Sequence, residues 1–275
     1  MGITVEHLIS NVAEIFKPPH RVRVSQAVSE SVVIATPGGY AGKWSGDTTP
    51  YMVEPMDLLS SRAHHSIIFA GPARTGKTQG LIDGGAGYVI TCDPSDMLIV
   101  HMTEEAARRY SRLRIKRMIN NSPDIKAKMS PVLHDDNVMG KYFKNGTALI
   151  FAWPSPTQLS AQDYKYVFIS DYDRMPDDTG EGDVYTLGSK RTQTFMSGGM
   201  CVVESSPGRD FTDPSWKPKI PHRTKTKNRL NLSPFTATVG GVGPGPTDSV
   251  CRVPSDTRMA NLWLSILPFL TIAID

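Results

Sequence analysis

Eight consecutive residues constrain this chain more than any other feature. Gly71-Pro72-Ala73-Arg74-Thr75-Gly76-Lys77-Thr78 match the pattern G-x-x-x-x-G-K-[ST] at every fixed position. An apolar run, Ser66-Ile67-Ile68-Phe69-Ala70, precedes the octet and reads as a buried strand. Thr75 to Asp83 reads as the start of a helix that Gly84-Gly85 stops. Strand, glycine turn and helix in that order are what a triphosphate cradle needs. The glycines let backbone N–H groups curl around phosphate oxygens, and the helix start adds partial positive charge. Lys77 is expected on the β- and γ-phosphates of ATP, and the Thr78 hydroxyl on Mg2+. Arg74, inside the loop, is a candidate for stabilising transition-state charge and is equally readable as an exposed loop cation.

Such a loop requires a carboxylate at the end of a neighbouring strand, to hold magnesium and orient the attacking water. Tyr166 to Ser170 reads as a buried strand from whose carboxyl end Asp171 emerges, with Asp173 two residues on. Either acid could instead belong to a solvated turn before Pro176. Met200 to Glu204 reads as a further strand ending in Ser205-Ser206-Pro207, where the two hydroxyls are candidates for sensing the γ-phosphate and relaying hydrolysis. An ordinary strand followed by a turn fits that segment as well.

Other segments fill in an alternation of strands and helices. Residues 3–16 have apolar positions at helical spacing ended by Pro18-Pro19, residues 36–50 read as loop, and a short helix is expected around 55–62. Met97 to His101 and Ala148 to Ala152 read as strands, and Thr103 is placed to cap a helix over 104–120 with Glu104 and Glu105 in its first turn. Alternation of this kind predicts an α/β P-loop NTPase of the ASCE-like type, a mostly parallel sheet flanked by helices. Three units are expected: 1–60 leading to the nucleotide site, 61–216 as the P-loop ATPase domain, and 217–275 as a low-order, disordered C-terminal tail. Residues 231–256 of that tail are Gly, Pro, Ser and Thr with few large apolar side chains, too little to offset chain entropy by burial.

A net charge of +3 does not by itself imply nucleic-acid binding, but the helix over 104–120 carries Arg108, Arg109, Arg112, Arg114, Lys116 and Arg117. Such a face is usually solvated and is also able to track a DNA backbone. Cys92, Cys201 and Cys251 are scattered, which argues against a zinc site or disulfide framework and suits a reducing cytoplasm. The longest apolar stretch, Leu262 to Ile274, contains Pro268 and is too short to cross a bilayer.

Taken together the segments resemble the large-subunit terminases of lambda-type tailed phages. The residues that carry the likeness are Thr49-Pro50-Tyr51 through Glu54-Pro55-Met56-Asp57, the octet itself, Gly87-Tyr88, Asp93-Pro94, Ser155-Pro156 with Leu159, Asp171 through Pro176, Gly182-Asp183-Val184 with Lys190-Arg191-Thr192, and Ser205-Ser206-Pro207. Their order and spacing match over about residues 36–218. The resemblance implies an ATPase that threads double-stranded viral DNA into a procapsid in the host bacterial cytoplasm. It implies a terminase small subunit and a portal as partners, homo-oligomerisation of the full-length protein, and a C-terminal nuclease that would lie beyond this chain. Tyr51 and Glu54 are placed near the nucleotide base by resemblance only.

The chain departs from the family in its acidic strand, which in the family usually ends Asp-Glu-x-Asp-Arg. Aligned on Asp173-Arg174, Asp171 falls at the catalytic glutamate and Ser170 at the magnesium aspartate. Moved by one residue, Asp171 becomes the magnesium ligand with no glutamate after it. The likeness also stops after Lys219, and Thr238 to Pro246 read as a frameshifted version of an Arg/Trp-rich continuation, so 220–275 is expected to be out of frame. Two rivals to the packaging ATPase are a helicase-like or other P-loop ATPase, against which the extended likeness argues, and a nucleotide-binding but hydrolytically inactive remnant.

Overall fold

The computed structural model describes residues 22–35, 39, 41–206 and, as backbone, 270–274. The helix expected over 3–16 and most of the tail lie outside them. Strands β1 Val33–Ala35 and β2 Ala41–Lys43 form a small antiparallel hairpin, so the expected 36–50 loop contains a strand. The remaining strands are β3 Ser66–Ala70, β4 Met97–Val100, β5 Gly140–Tyr142, β6 Ala148–Ala152, β7 Tyr166–Ser170, β8 Met200–Ser205 and β9 Leu270–Ile274. They make one sheet in the order β5-β6-β4-β7-β8-β3-β9. The five central strands are parallel, while β5 and β9 are antiparallel edges. Within the segment expected to lack order, therefore, 270–274 pairs with the strand that feeds the phosphate loop.

A period of two along each strand sorts side chains onto two buried faces. Ile67 and Phe69, Met97 and Ile99, Tyr166 and Phe168, and Met200 and Val202 belong to one core. Ile68, Leu98, Val100, Val167, Ile169, Cys201 and Val203 belong to the other. The first core is covered by α1 Val24–Ser31, α2 Val53–Asp57 and the helix after the phosphate loop, and also by α4 Glu104–Tyr110 and α5 Lys116–Asn121. Helices α6 Pro123–Lys128 and α7 Pro156–Ser160 follow, and α8 Val184–Thr192 packs on the second face against β7 and β8.

The helix after the loop does not stop at Gly84-Gly85. Thr78–Gly84 is wound as a π-helix and runs directly into α3 Gly85–Thr91. Glycine costs a helix interior about 1 kcal/mol relative to alanine, yet no larger residue fits here. A Cβ on Gly85 would lie 2.8 Å from the Phe168 ring, and one on Gly87 would lie 2.5 Å from Val32. Close approach of the helix to the sheet at Phe168, and to the end of α1 at Val32, accounts for Gly85 and Gly87.

Several of the family-like segments turn out to be scaffolding. Thr103 caps α4 by accepting from Ala106 N at 3.2 Å, and Asp183 caps α8 by accepting from Thr186 N at 2.9 Å. Asp93 accepts from Lys165 Nζ and from Tyr166 O–H at 2.7 Å, tying the end of α3 to the start of β7. Asp83 accepts from Arg114 Nε at 3.1 Å and from Tyr110 O–H, joining the phosphate-loop helix to the basic helix. Of the six basic residues on that helix, Arg108 pairs with Glu104, Arg114 with Asp83 and Lys116 with Asp136. No helix among the described residues is long and apolar enough to cross a membrane.

Candidate nucleotide site

The octet joins the carboxyl end of β3 to the helix that starts at Thr78, at the edge where parallel α/β sheets bind ligands. Arg74 and Gly76 have φ of +65° and +78°. Gly76 takes that conformation freely, whereas for Arg74 it is strained. Two contacts hold the loop's shape: Thr75 Oγ1 donates to the Pro72 carbonyl at 2.9 Å, and Tyr51 O–H donates to the Thr75 carbonyl at 2.8 Å. The start of the loop is fixed by Gly71 N donating to the Ser205 carbonyl at 3.1 Å. Tyr51 thus braces the phosphate loop, while Glu54 is exposed on α2.

Strand order then decides what faces the loop. β8 lies between β3 and β7, so the acidic strand is one strand removed from the phosphate-loop strand. Lys77 is only 5% exposed, and its Nζ donates to Ser206 Oγ at 2.5 Å and to the Pro72 carbonyl at 3.4 Å. Ser205 Oγ, on the other side of that strand end, accepts from Asp173 N at 2.9 Å. The two hydroxyls singled out from the sequence therefore sit between the loop lysine and the acidic turn. Asp171 begins that turn in the left-handed region, at φ +56°, a conformation Asp tolerates better than most residues. Among the candidate residues Lys77, Thr78, Ser205, Ser206, Asp171 and Asp173 fall at one end of the sheet, with Arg74 exposed at its rim.

One residue at the centre of the cluster escaped the sequence reading. Glu204 is 0% exposed. Its Oε1 accepts from Ser170 Oγ at 2.7 Å and from Thr78 Oγ1 at 3.0 Å, and its Oε2 lies 3.7 Å from Lys77 Nζ. Burial pushes the Glu204 carboxyl above its ordinary range. The Lys77 charge and the Ser170 hydrogen bond oppose that rise, the Asp171 charge adds to it, and the Thr78 hydrogen bond opposes it. A usable signal was present: an acid interrupting Met-Cys-Val-Val in a strand buried on both faces must find partners inside.

Alongside the loop runs a cavity of about 680 Å³, lined by Val32 to Ala35, Arg74 to Gln79, Asp83, and Leu113, Arg114, Arg117 and Met118. That is room for a nucleotide-sized ligand beside Lys77 and Thr78. The oxygens of Thr78 and Glu204, with Asp171 close by, are hard donors of the kind magnesium takes. Among the described residues no cluster of three or more His, Cys, Asp or Glu could cage a metal unaided. Magnesium is usually held by one or two carboxylates together with substrate phosphates, so the residues present fit it.

The family described as "Phage terminase large subunit gpA, ATPase domain" matches residues 38–222. No curated protein sequence matches the chain. Among solved structures, the HK97 bacteriophage large terminase is similar with a TM-score of 0.46 and 16% identity, over 66% of this chain and 37% of that one. The Thermus phage P74-26 large terminase ATPase domain is similar with a TM-score of 0.41 and 11% identity, over 64% of this chain and 76% of that one. The chain thus spans little more than a third of the HK97 protein.

Proposed function

Because the chain belongs to the phage terminase large subunit gpA ATPase-domain family, we propose that it is a DNA-packaging motor domain that couples ATP hydrolysis to moving double-stranded DNA into a procapsid. On this reading residues 61–216 carry the ATPase unit, 1–60 lead to the nucleotide site, and 220–275 are read out of frame. The domain works in the host cytoplasm with a terminase small subunit and a portal, and the full-length protein assembles as a homo-oligomer.

The observation that carries the reading is the meeting of three separate strand ends around Glu204: Lys77 and Thr78 from the loop after β3, Ser170 from the end of β7, and Glu204 with Ser206 from the end of β8. Backbone N–H groups of the octet cradle the phosphates, and Lys77 leaves Ser206 to meet the charge on the γ-phosphate. Magnesium, when bound beside Thr78, would neutralise charge building on the phosphates. Asp173 and Ser205 link that event to the turn after β7, since the Asp173 N–H is held by the Ser205 hydroxyl. Any change in what Ser206 and Ser205 touch is therefore passed to that turn, which is the coupling we assign to the pair.

A nucleotide-binding but inactive domain is the rival, favoured by the absence of an acid at Ser170. Phosphate release from radiolabelled ATP, with and without double-stranded DNA, separates the two. Turnover that DNA stimulates is the expected result. Nucleotide retained for hours without product would establish the inactive reading instead.

A further inference from the structure

The acid expected at the end of β7 is a serine, yet a carboxylate occupies the same place from the neighbouring strand. Ser170 and Glu204 are directly paired across β7 and β8, and Phe69 and Glu204 across β3 and β8. Because side chains alternate, Glu204 continues the face of Met200 and Val202, and Ser170 continues that of Tyr166 and Phe168. This is the face the helix starting at Thr78 covers. A glutamate on the middle strand therefore reaches the same point as an acid at position 170 would. Its length closes the remaining distance: Oε1 receives both the Thr78 and the Ser170 hydroxyls.

We propose that Glu204 is the metal-side carboxylate of this nucleotide site, with the Ser170 hydroxyl holding it in place, so that the acid has moved from the end of β7 to the end of β8. The proposal rests on the nucleotide reading of the octet given above. Two independent observations support it. Thr78, the hydroxyl expected on magnesium, has Glu204 as its acceptor and no acid from β7. In addition, Oε2 of this fully buried side chain has no hydrogen-bond partner and lies on the Lys77 side. A buried carboxylate left half satisfied costs stability, and such a cost persists where the group serves a ligand. Ser170 alone carries no charge and cannot offset a divalent ion. Asp171, the following residue, is then left to orient water, which selects the alignment with Ser170 at the magnesium position and Asp171 at the catalytic one.

A merely structural Glu204, present only to neutralise buried Lys77, makes a different prediction from a metal-side one. The discriminating variant moves the acid back, as Glu204→Gln combined with Ser170→Asp. Mn2+ binding is read by electron paramagnetic resonance in the presence of ATPγS, and ATP turnover is read alongside. Glu204→Gln is expected to weaken nucleotide-dependent Mn2+ binding on the order of 10- to 100-fold, and the double variant to recover most of the binding and part of the turnover. Wild-type Mn2+ binding by Glu204→Gln overturns the proposal. So does a double variant that melts like wild type and recovers no metal binding. If Lys77→Ala abolishes ATPγS binding while Glu204→Gln leaves Mn2+ binding intact, Glu204 fails and the nucleotide reading stands. If neither wild type nor variant binds ATPγS, the nucleotide reading itself fails.

Discussion

Lys77→Ala is expected to lower ATP turnover on the order of 100- to 1,000-fold, the loss typical of removing one preorganised group that meets transition-state charge. The same substitution should also lower the melting temperature of the nucleotide-free protein, which a surface lysine would not do. Lys77 is almost fully buried, and the Glu204 carboxylate 3.7 Å away has no exposure at all. Truncating one partner of a buried pair leaves the other charge uncompensated, at a cost of about 3–5 kcal/mol before any protonation relieves it. Adding Glu204→Gln to Lys77→Ala removes that charge, so the melting temperature should recover while turnover does not. Calorimetry and phosphate release on the two variants check both halves. A Lys77→Ala protein that turns over ATP normally would remove the loop from the chemistry altogether.

The second large effect concerns acid stability and resides in His101. Its ring is buried beyond the end of β4, packed at 4.2 Å between centroids against Tyr110, and its Nε2 has no hydrogen-bond partner. Burial, assisted by the Arg114 charge, lowers its pKa to about 4. The unfolded chain takes up a proton near pH 6.5, whereas the folded protein resists it down to about 4, so between these values the unfolded state binds more protons. Stability therefore falls as pH drops through this window, reaching a loss of about 3 kcal/mol at its lower end. Glu204, whose carboxyl is raised, tilts the curve the opposite way from about pH 4.5 upward. The informative quantity is thus the difference between wild type and His101→Phe in denaturant unfolding at several pH values. That difference should change by about 3 kcal/mol between pH 7 and pH 4; a flat difference would mean that His101 takes up its proton as readily in the folded protein as in the unfolded chain.

Much of the sheet was legible because its strands are apolar runs bounded by turn residues. Ser66 to Ala70, Ala148 to Ala152 and Tyr166 to Ser170 end where the sequence says they do. The short strands β1, β2 and β5 were not legible, since three residues carry too little periodicity to separate a strand from a loop. Gly84-Gly85 was misread because glycine lowers helix propensity locally, while the need to bring α3 against Phe168 and Val32 is set by residues far along the chain. Tyr51 and Glu54 show the reach of resemblance: it drew attention to the segment, but only the fold reveals that Tyr51 braces the Thr75 carbonyl. Glu204 is the instructive omission. Its partners Thr78, Ser170 and Lys77 lie on two other strand ends and come together only through the order β7-β8-β3.

The central claim is that the Gly71–Thr78 backbone wraps a triphosphate facing the carboxylates delivered by the ends of β7 and β8. A crystal structure with ATPγS and Mg2+ tests it most directly. The account requires the γ-thiophosphate within hydrogen-bond reach of Lys77 Nζ, and magnesium about 2.1 Å from Thr78 Oγ1, with Glu204 bound to that ion directly or through one water. Nucleotide bound away from the octet, or an ion coordinated with Glu204 still closed on Lys77 and out of its reach, would contradict it.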